Sequence, residues 1–335
     1  MSQSVNNGSK VMLKLVQSLA FAAATVLGTA AMAEPVKVSI ANFGDHPALV
    51  SIVTGFKARM AELGYDEGED VAYEYRHVNF DRTLVPQMLQ LTESDSPDLI
   101  LTITTAVGQA SIRGIHDDTI PIVFGGVVDP VVAGIVPGWD NGSETHAGAS
   151  MLPDMAAALS FVTQVVPDAK RIGTLFNPGE DNDITNIELI KEAAAEQGLE
   201  IVAVAVDNAN DLPQRVQSFT GQVDAVYLIQ SNVVQTSVPV VAQIAQRIKL
   251  PLFNSVYSDE LKNELAGFHA INYERNGVHA ADIADRILRG EKPGAIPVYV
   301  PDASDFISRV SPAGLAAVGL SVPEALKGSE WIIAE

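Results

Sequence analysis

The chain has no cysteine among its 335 residues, and that absence closes several chemistries at once. No disulfide can staple the fold, no thiolate can act as nucleophile or soft metal ligand, and no thioether-linked lipid can be attached behind a leader. The fold must stand on core packing. Basic residues are scarce as well: 21 Lys and Arg face 41 Asp and Glu, for a formal net charge of −20. A surface of that sign repels phosphate backbones and anionic lipid heads, which argues against nucleic-acid and membrane-surface roles. The carboxylates are scattered rather than massed, so they read as a solubilising surface and not as a cation-binding tail.

Catalytic signatures are missing too. There is no Gly-x-Ser-x-Gly elbow, no Walker phosphate loop and no His-Glu-x-x-His pair. The histidines, His46, His77, His116, His146, His269 and His279, are dispersed without ligand spacing. Asp181-Asn182-Asp183 with Glu192 opens like a calcium loop, but Asn186 stands where the sharp turn needs glycine. The expectation is a chain with no metal, no cofactor and no catalytic residue. Asp129 facing Glu180 across a cleft is the one acid and base pairing left.

Long apolar runs are also lacking, except at the start. Lys10 and Lys14, the apolar stretch Leu15 to Thr29, and Ala31-Met32-Ala33 form the three regions of an export leader cleaved after Ala33. The stretch falls short of the roughly 20 residues needed to span hydrocarbon. Residues 34–335, with a net charge of −22 once the two leader lysines are gone, are expected in the periplasm, with no direct membrane insertion.

What is there instead is alternation. Val36 to Ala41, Val71 to Tyr75, Leu99 to Ile103 and Ile122 to Phe124 read as strands, and Ala48 to Leu63 and Thr83 to Thr92 as helices of 3.6 period. A second series follows: strands at Arg171 to Phe176, Glu200 to Val206, Ala225 to Ile229 and Leu252 to Phe253, with helices at Ile184 to Gln197 and Val238 to Ile248. Gly64 and Gly198 each end a helix before a strand, and Pro121 and Pro251 each precede a short strand. The fold class is therefore α/β, two doubly wound parallel-sheet lobes in series.

Ligands of open parallel sheets sit beyond the carboxyl ends of the strands. The turns there read Asn42-Phe43-Gly44-Asp45-His46, Thr104-Thr105 and Gly125-Gly126-Val127-Val128-Asp129, then Asn177 to Asn182, Gln230-Ser231-Asn232 and Asn254-Ser255-Val256-Tyr257. Amides, hydroxyls and glycines with interleaved aromatics suit a small polar molecule carrying a ring. From these turns Gly126, Ser231, Ser255 and Tyr257 are candidate ligand contacts.

Asp45-His46-Pro47-Ala48-Leu49, Glu62-Leu63-Gly64-Tyr65, Pro121-Ile122-Val123-Phe124, Asp129-Pro130-Val131-Val132-Ala133-Gly134, Phe176-Asn177-Pro178-Gly179-Glu180, Val223-Asp224-Ala225-Val226-Tyr227 and Gly290-Glu291-Lys292-Pro293 follow one another in a familiar order. The chain resembles, over nearly its whole mature length, the substrate-binding proteins of ABC importers of the tryptophan/tyrosine type. The resemblance implies a type I periplasmic binding fold joined by three crossings, near Ala147 to Met151, Phe268 to Asn272 and Pro297 to Pro301. It places lobe 1 at 34–148 with 270–298 and lobe 2 at 149–269 with 299–335. It also implies ligand contacts from Phe43, His46, Thr104, Thr105, Asp129, Asn177, Glu180, Asn182 and Asn232, the threonines offering helix amides to a carboxylate.

Two positions depart from the family pattern, Ser231 and Val256, where relatives commonly carry aspartates that would pair with a ligand ammonium. Either Asp129 or Glu180 takes that duty, or the ligand is a ring compound without an ammonium. The implied partners are a small-molecule solute and an inner-membrane ABC permease, with the receptor working as a monomer. A membrane sensor served by the same fold is the alternative.

Overall fold

The computed structural model describes residues 34–333; the expected leader lies outside them. Short strands that are apolar on both sides dictate the architecture, because each must be covered by helices on two faces. The first sheet has the order β2-β1-β3-β4-β5, built from β1 (Val36–Asn42), β2 (Val71–His77), β3 (Leu99–Ile103), β4 (Ile122–Val127) and β5 (His146–Ser150). All its pairings are parallel. Val38, Ile40, Leu99, Leu101 and Ile103 turn to one face, under α1 (Pro47–Glu62) and α9 (Tyr273–Leu288). Ala41 turns to the other, toward α2 (Val85–Ser94) and α3 (Thr105–Gly114).

The second sheet runs β11-β10-β9-β8-β6-β7. Its strands are β6 (Arg171–Phe176), β7 (Glu200–Ala205), β8 (Ala225–Leu228), β9 (Leu252–Asn254), β10 (Gly267–Ile271) and β11 (Phe306–Val310). Only β11 is antiparallel to its neighbour. Ala225 and Tyr227 pack beneath α4 (Met155–Val165) and α5 (Asp181–Glu196). Val226 and Leu228 pack beneath α6 (Leu212–Gln217) and α8 (Val238–Arg247). The short α7 (Asn232–Gln235) follows β8 and α10 (Pro312–Ala317) closes the series.

The eight strands read from the sequence lie where their patterning puts them, β3 and β6 to the residue, while β5, β10 and β11 were not read as strands. Gly64 and Gly198 have φ of 95° and 66°, the left-handed caps their positions require. Two helices differ from the sequence reading. The stretch from Thr83 begins as a 3₁₀ turn, Arg82–Leu84, because Pro86 fixes the first turn of α2. Helix α5 begins at Asp181, not Ile184, since Asp181 and Asp183 sit favourably at the positive end of its dipole.

Helix α9 follows β10 of the second sheet yet packs on the core of the first. It lies so close to α1 that a Cβ on Gly55 would sit 2.0 Å from the Glu274 carbonyl oxygen, and one on Gly277 would sit 2.0 Å from that of Ile52. The chain passes between the sheets after β5, after β10 and again before β11. Asn276 on α9 stitches this region: its Oδ1 accepts from Gly126 N at 2.8 Å and its Nδ2 donates to Ser150 O at 2.9 Å. Among the described residues no helix is long and apolar enough to cross a membrane.

Candidate ligand-binding site

The carboxyl ends of the two sheets' strands face each other, and three cavities lie between them. An inner one of about 30 Å3 is lined by Leu49, Thr104, Thr105, Gly126, Val128, Met151, Asn182, Gln230, Asn232 and Tyr273. A second, also of about 30 Å3, shares Leu49, Gln230, Asn232 and Tyr273 with it and adds His46, Phe80, Ser231, Gln235 and Val256. A wider outer cavity of about 440 Å3 touches Phe43, Phe80, Arg82, Asn177, Glu180 and Asn232. Of the sequence candidates, His46, Thr104, Thr105, Gly126, Asn182, Ser231 and Asn232 thus line the enclosed pair. Phe43, Asn177 and Glu180 stand on the outer one.

Three candidates lie elsewhere. Asp129 Oδ1 accepts from the amides of Val131 and Val132, both at 2.9 Å, so its carboxylate caps its own loop. Ser255 is buried behind the wall, its amide bonded to Leu228 O at 3.0 Å. Tyr257 packs edge-on against Phe268 with centroids 5.2 Å apart and donates its hydroxyl to Asp259. Asp129 and Glu180 are therefore not brought together as an acid and base pair across these cavities.

Thr104 is the most strained residue of the site. As the N-cap of α3 it has φ 84° and ψ 155°, a region that is nearly glycine's alone. Its own amide donates to Gly125 O at 3.1 Å, and no side chain caps the helix, so the first-turn amides of α3 have no partner inside the helix. The hydroxyls of Thr104 and Thr105 are buried without a protein partner. Free amides, two hydroxyls and the positive end of a dipole together form a seat for a carboxylate.

On the opposite wall, the Gln230 carboxamide is 8% exposed, and neither its Oε1 nor its Nε2 meets a protein partner. Buried polar groups usually find a partner, and this one can find its own only from the cavity. Its backbone is fixed: Asn182 Nδ2 donates to Gln230 O at 3.0 Å. His46 caps α1, its Nδ1 accepting from Ala48 N at 3.2 Å. Burial lowers its pKa, an effect only partly offset by the backbone of Gln235, so the ring is neutral at pH 7.

Two carboxylates stand behind these amides. Glu180 accepts from Asn232 through both its backbone N at 3.2 Å and its Nδ2 at 2.7 Å, and from Asn177 Nδ2 at 3.3 Å. Asp183 is fully buried; it accepts from Asn177 N at 2.6 Å and Asn182 Nδ2 at 2.8 Å. Burial, reinforced by Glu180, raises its pKa well above the usual carboxylate range.

Sequence reasoning passed over Phe80, Gln235, Tyr273 and Met151 as contacts, and quoted Leu49, Val128 and Gln230 in their motifs without choosing them. Phe80 had a signal: it follows β2, where the carboxyl-end rule points. Its ring crosses that of Phe43 edge-on at 5.5 Å, and a Cβ on Gly44 would lie 2.3 Å from it, so glycine makes room for this ring. Across the rim, Arg82 Nη1 donates to Gly179 O at 2.6 Å and Gln109 Nε2 to Asp181 Oδ2 at 2.7 Å.

Residues 37–328 match the family described as ABC transporter substrate binding proteins. The chain is similar to the Tyrosine-binding protein of Clostridioides difficile, 27% identical over 81% of this chain and 77% of that one. Its structure is similar to that of an ABC domain in complex with L-Trp from Streptococcus pneumoniae, with TM-score 0.82 and 25% identity over 89% of this chain and 100% of that one. A ligand-free, open substrate-binding protein with adhesive properties from Clostridium difficile gives TM-score 0.68 and 29% identity over 89% and 98%. The two-sheet architecture is that of type I periplasmic binding proteins.

Proposed function

Because this chain belongs to the ABC transporter substrate-binding protein family, we propose that it is a periplasmic receptor that captures a small ring-bearing solute between its lobes and delivers it to an inner-membrane permease. Export would use the leader ending at Ala33, leaving residues 34–335 as the working protein. The observation that carries the reading is the set of buried, partnerless polar atoms of Thr104, Thr105 and Gln230 on one enclosed cavity. A solute meets these atoms from both lobes at once, so binding favours the closed arrangement over the open one. Leu49, Val128, Met151, Val256, Phe80 and Tyr273 supply the apolar and aromatic walls for its ring. The solute is held and released unchanged, since the cavity presents no nucleophile next to a base.

The test is a thermal-shift screen of residues 34–335 against amino acids, aromatic acids, purines, pyrimidines and other ring compounds. A binder at a hundred times its dissociation constant adds about 2.7 kcal/mol, which is expected for at least one ring-bearing compound. Mass spectrometry of the bound fraction should then recover that compound intact. A protein that binds no metabolite, or that converts one, rules out the receptor role.

A further inference from the structure

The two enclosed cavities are bordered by no aspartate, glutamate, lysine or arginine. A free amino acid needs a place for each end of its zwitterion. The seat at the start of α3 serves a carboxylate: the helix is ten residues long, and two hydroxyls more than nine-tenths buried stand there without protein partners. Nothing of opposite character awaits an ammonium, and burying one without a countercharge is costly. The nearest carboxylates are otherwise engaged. Glu180 faces the outer cavity with three donors on its two oxygens. Asp183 is sealed beneath Asn182, both its oxygens taken by neighbouring amides. Ser231 turns its hydroxyl to cap α7, accepting from Val234 N at 3.4 Å, and Val256 is apolar.

What the inner wall does offer is the Gln230 carboxamide, a donating NH2 and an accepting oxygen, both unspent. A hydroxyl, which both accepts and donates, satisfies both ends; an oxo group satisfies Nε2 and brings no charge; an ammonium satisfies the oxygen alone, leaves Nε2 facing like charge and lacks a countercharge of its own. We infer that the cargo is an aromatic carboxylate bearing a hydroxyl or oxo group on the carbon where an amino acid carries its ammonium, and that Gln230 is the residue that reads that group. The inference rests on the receptor reading above and narrows it to aromatic 2-hydroxy or 2-oxo acids.

Isothermal titration of residues 34–335 with phenylalanine, phenyllactate and phenylpyruvate varies that one group, and the 4-hydroxyphenyl and indole series repeat the comparison on other rings. For the best-bound ring, the hydroxy or oxo acid is expected to bind at least tenfold tighter than the amino acid. Gln230→Glu should reverse the order by setting an anion where the carboxamide stood. Should that variant fail to fold, Gln230→Met is expected to bring the ligands to within threefold of one another. A wild-type preference for the amino acid, or an advantage below tenfold, overturns the inference and leaves the receptor reading standing. An order unchanged by substitution in a folded variant overturns the role of Gln230. If no member of any series binds, the inference fails, and the wider thermal-shift screen decides the receptor reading separately.

Discussion

At the scale of single residues, Thr104 combines backbone strain with an unpartnered hydroxyl on the inner cavity. A β-branched residue at φ 84° and ψ 155° is strained by about 1–3 kcal/mol, and glycine would relieve most of it. Thr104→Gly is therefore expected to raise the melting point of the unliganded protein while weakening ligand binding about tenfold. Calorimetry and titration on the same preparation check both signs; a variant that binds normally would show that the hydroxyl does not touch the ligand. His146 makes a second case. It is buried between Ser111 Oγ and Thr145 Oγ1 at 2.9 and 2.8 Å, and burial lowers its pKa to about 4. The unfolded chain holds that proton up to about pH 6.5. Between these values the unfolded state binds more protons, so stability falls as the solution is acidified through that window. The loss due to this residue is at most roughly 3 kcal/mol, from 1.36 kcal/mol per pKa unit. His146→Gln should flatten the melting-point curve between pH 6.5 and 4 relative to wild type, and curves that stay parallel would exclude His146 as its source.

At the scale of elements, what was legible in the sequence was whatever large apolar side chains mark. Strands β3 and β6 carry isoleucine or leucine on both faces, β1 and β8 line one face with valine, isoleucine or leucine, and all four stand out at once. Strand β5, His-Ala-Gly-Ala-Ser, carries none of these, since β4 crowds it: a Cβ on Gly148 would lie 2.2 Å from the Phe124 carbonyl oxygen. Helix α9 is different: its period is marked, with Asn276, Gly277, Ala280, Ala281, Ile283, Ala284 and Ile287 buried opposite a charged face, but its small buried residues make it polar on average, and it was not picked out among the helices. The site was half legible. The carboxyl-end rule found the loops, but a residue such as Asp129 looks alike in sequence whether it caps a turn or meets a ligand. Tyr273 reaches the cavity only because α9 lies across the first lobe. Gly277→Ala tests that contact. The added methyl has no space against Ile52 O, so the helices must part, at a cost of about 1–3 kcal/mol. Because Asn276 and Tyr273 ride on the same helix, the variant should lose ligand affinity as well as stability. Unchanged affinity in a destabilised variant would separate the helix contact from the site.

At the scale of the whole molecule, the cavities exist only because the two lobes meet, and direct bonds across the rim share that task with the ligand. Arg82 and Gln109 of the first lobe reach Gly179 O and the Asp181 carboxylate of the second, beside the outer cavity and away from the enclosed pair. These groups are exposed, so each contact contributes modestly, on the order of 0.5–1.5 kcal/mol. Removing one leaves ligand contacts intact and changes only the balance between open and closed forms. Arg82→Ala is accordingly expected to weaken binding about three- to tenfold, chiefly through faster dissociation, because closure follows capture. Stopped-flow dissociation and small-angle scattering with and without ligand test this: the variant should release ligand faster and populate a more extended unliganded form. If its dissociation rate matched wild type, the rim bonds would be consequences of closure with no share in setting its equilibrium, and affinity would rest on the cavity walls alone.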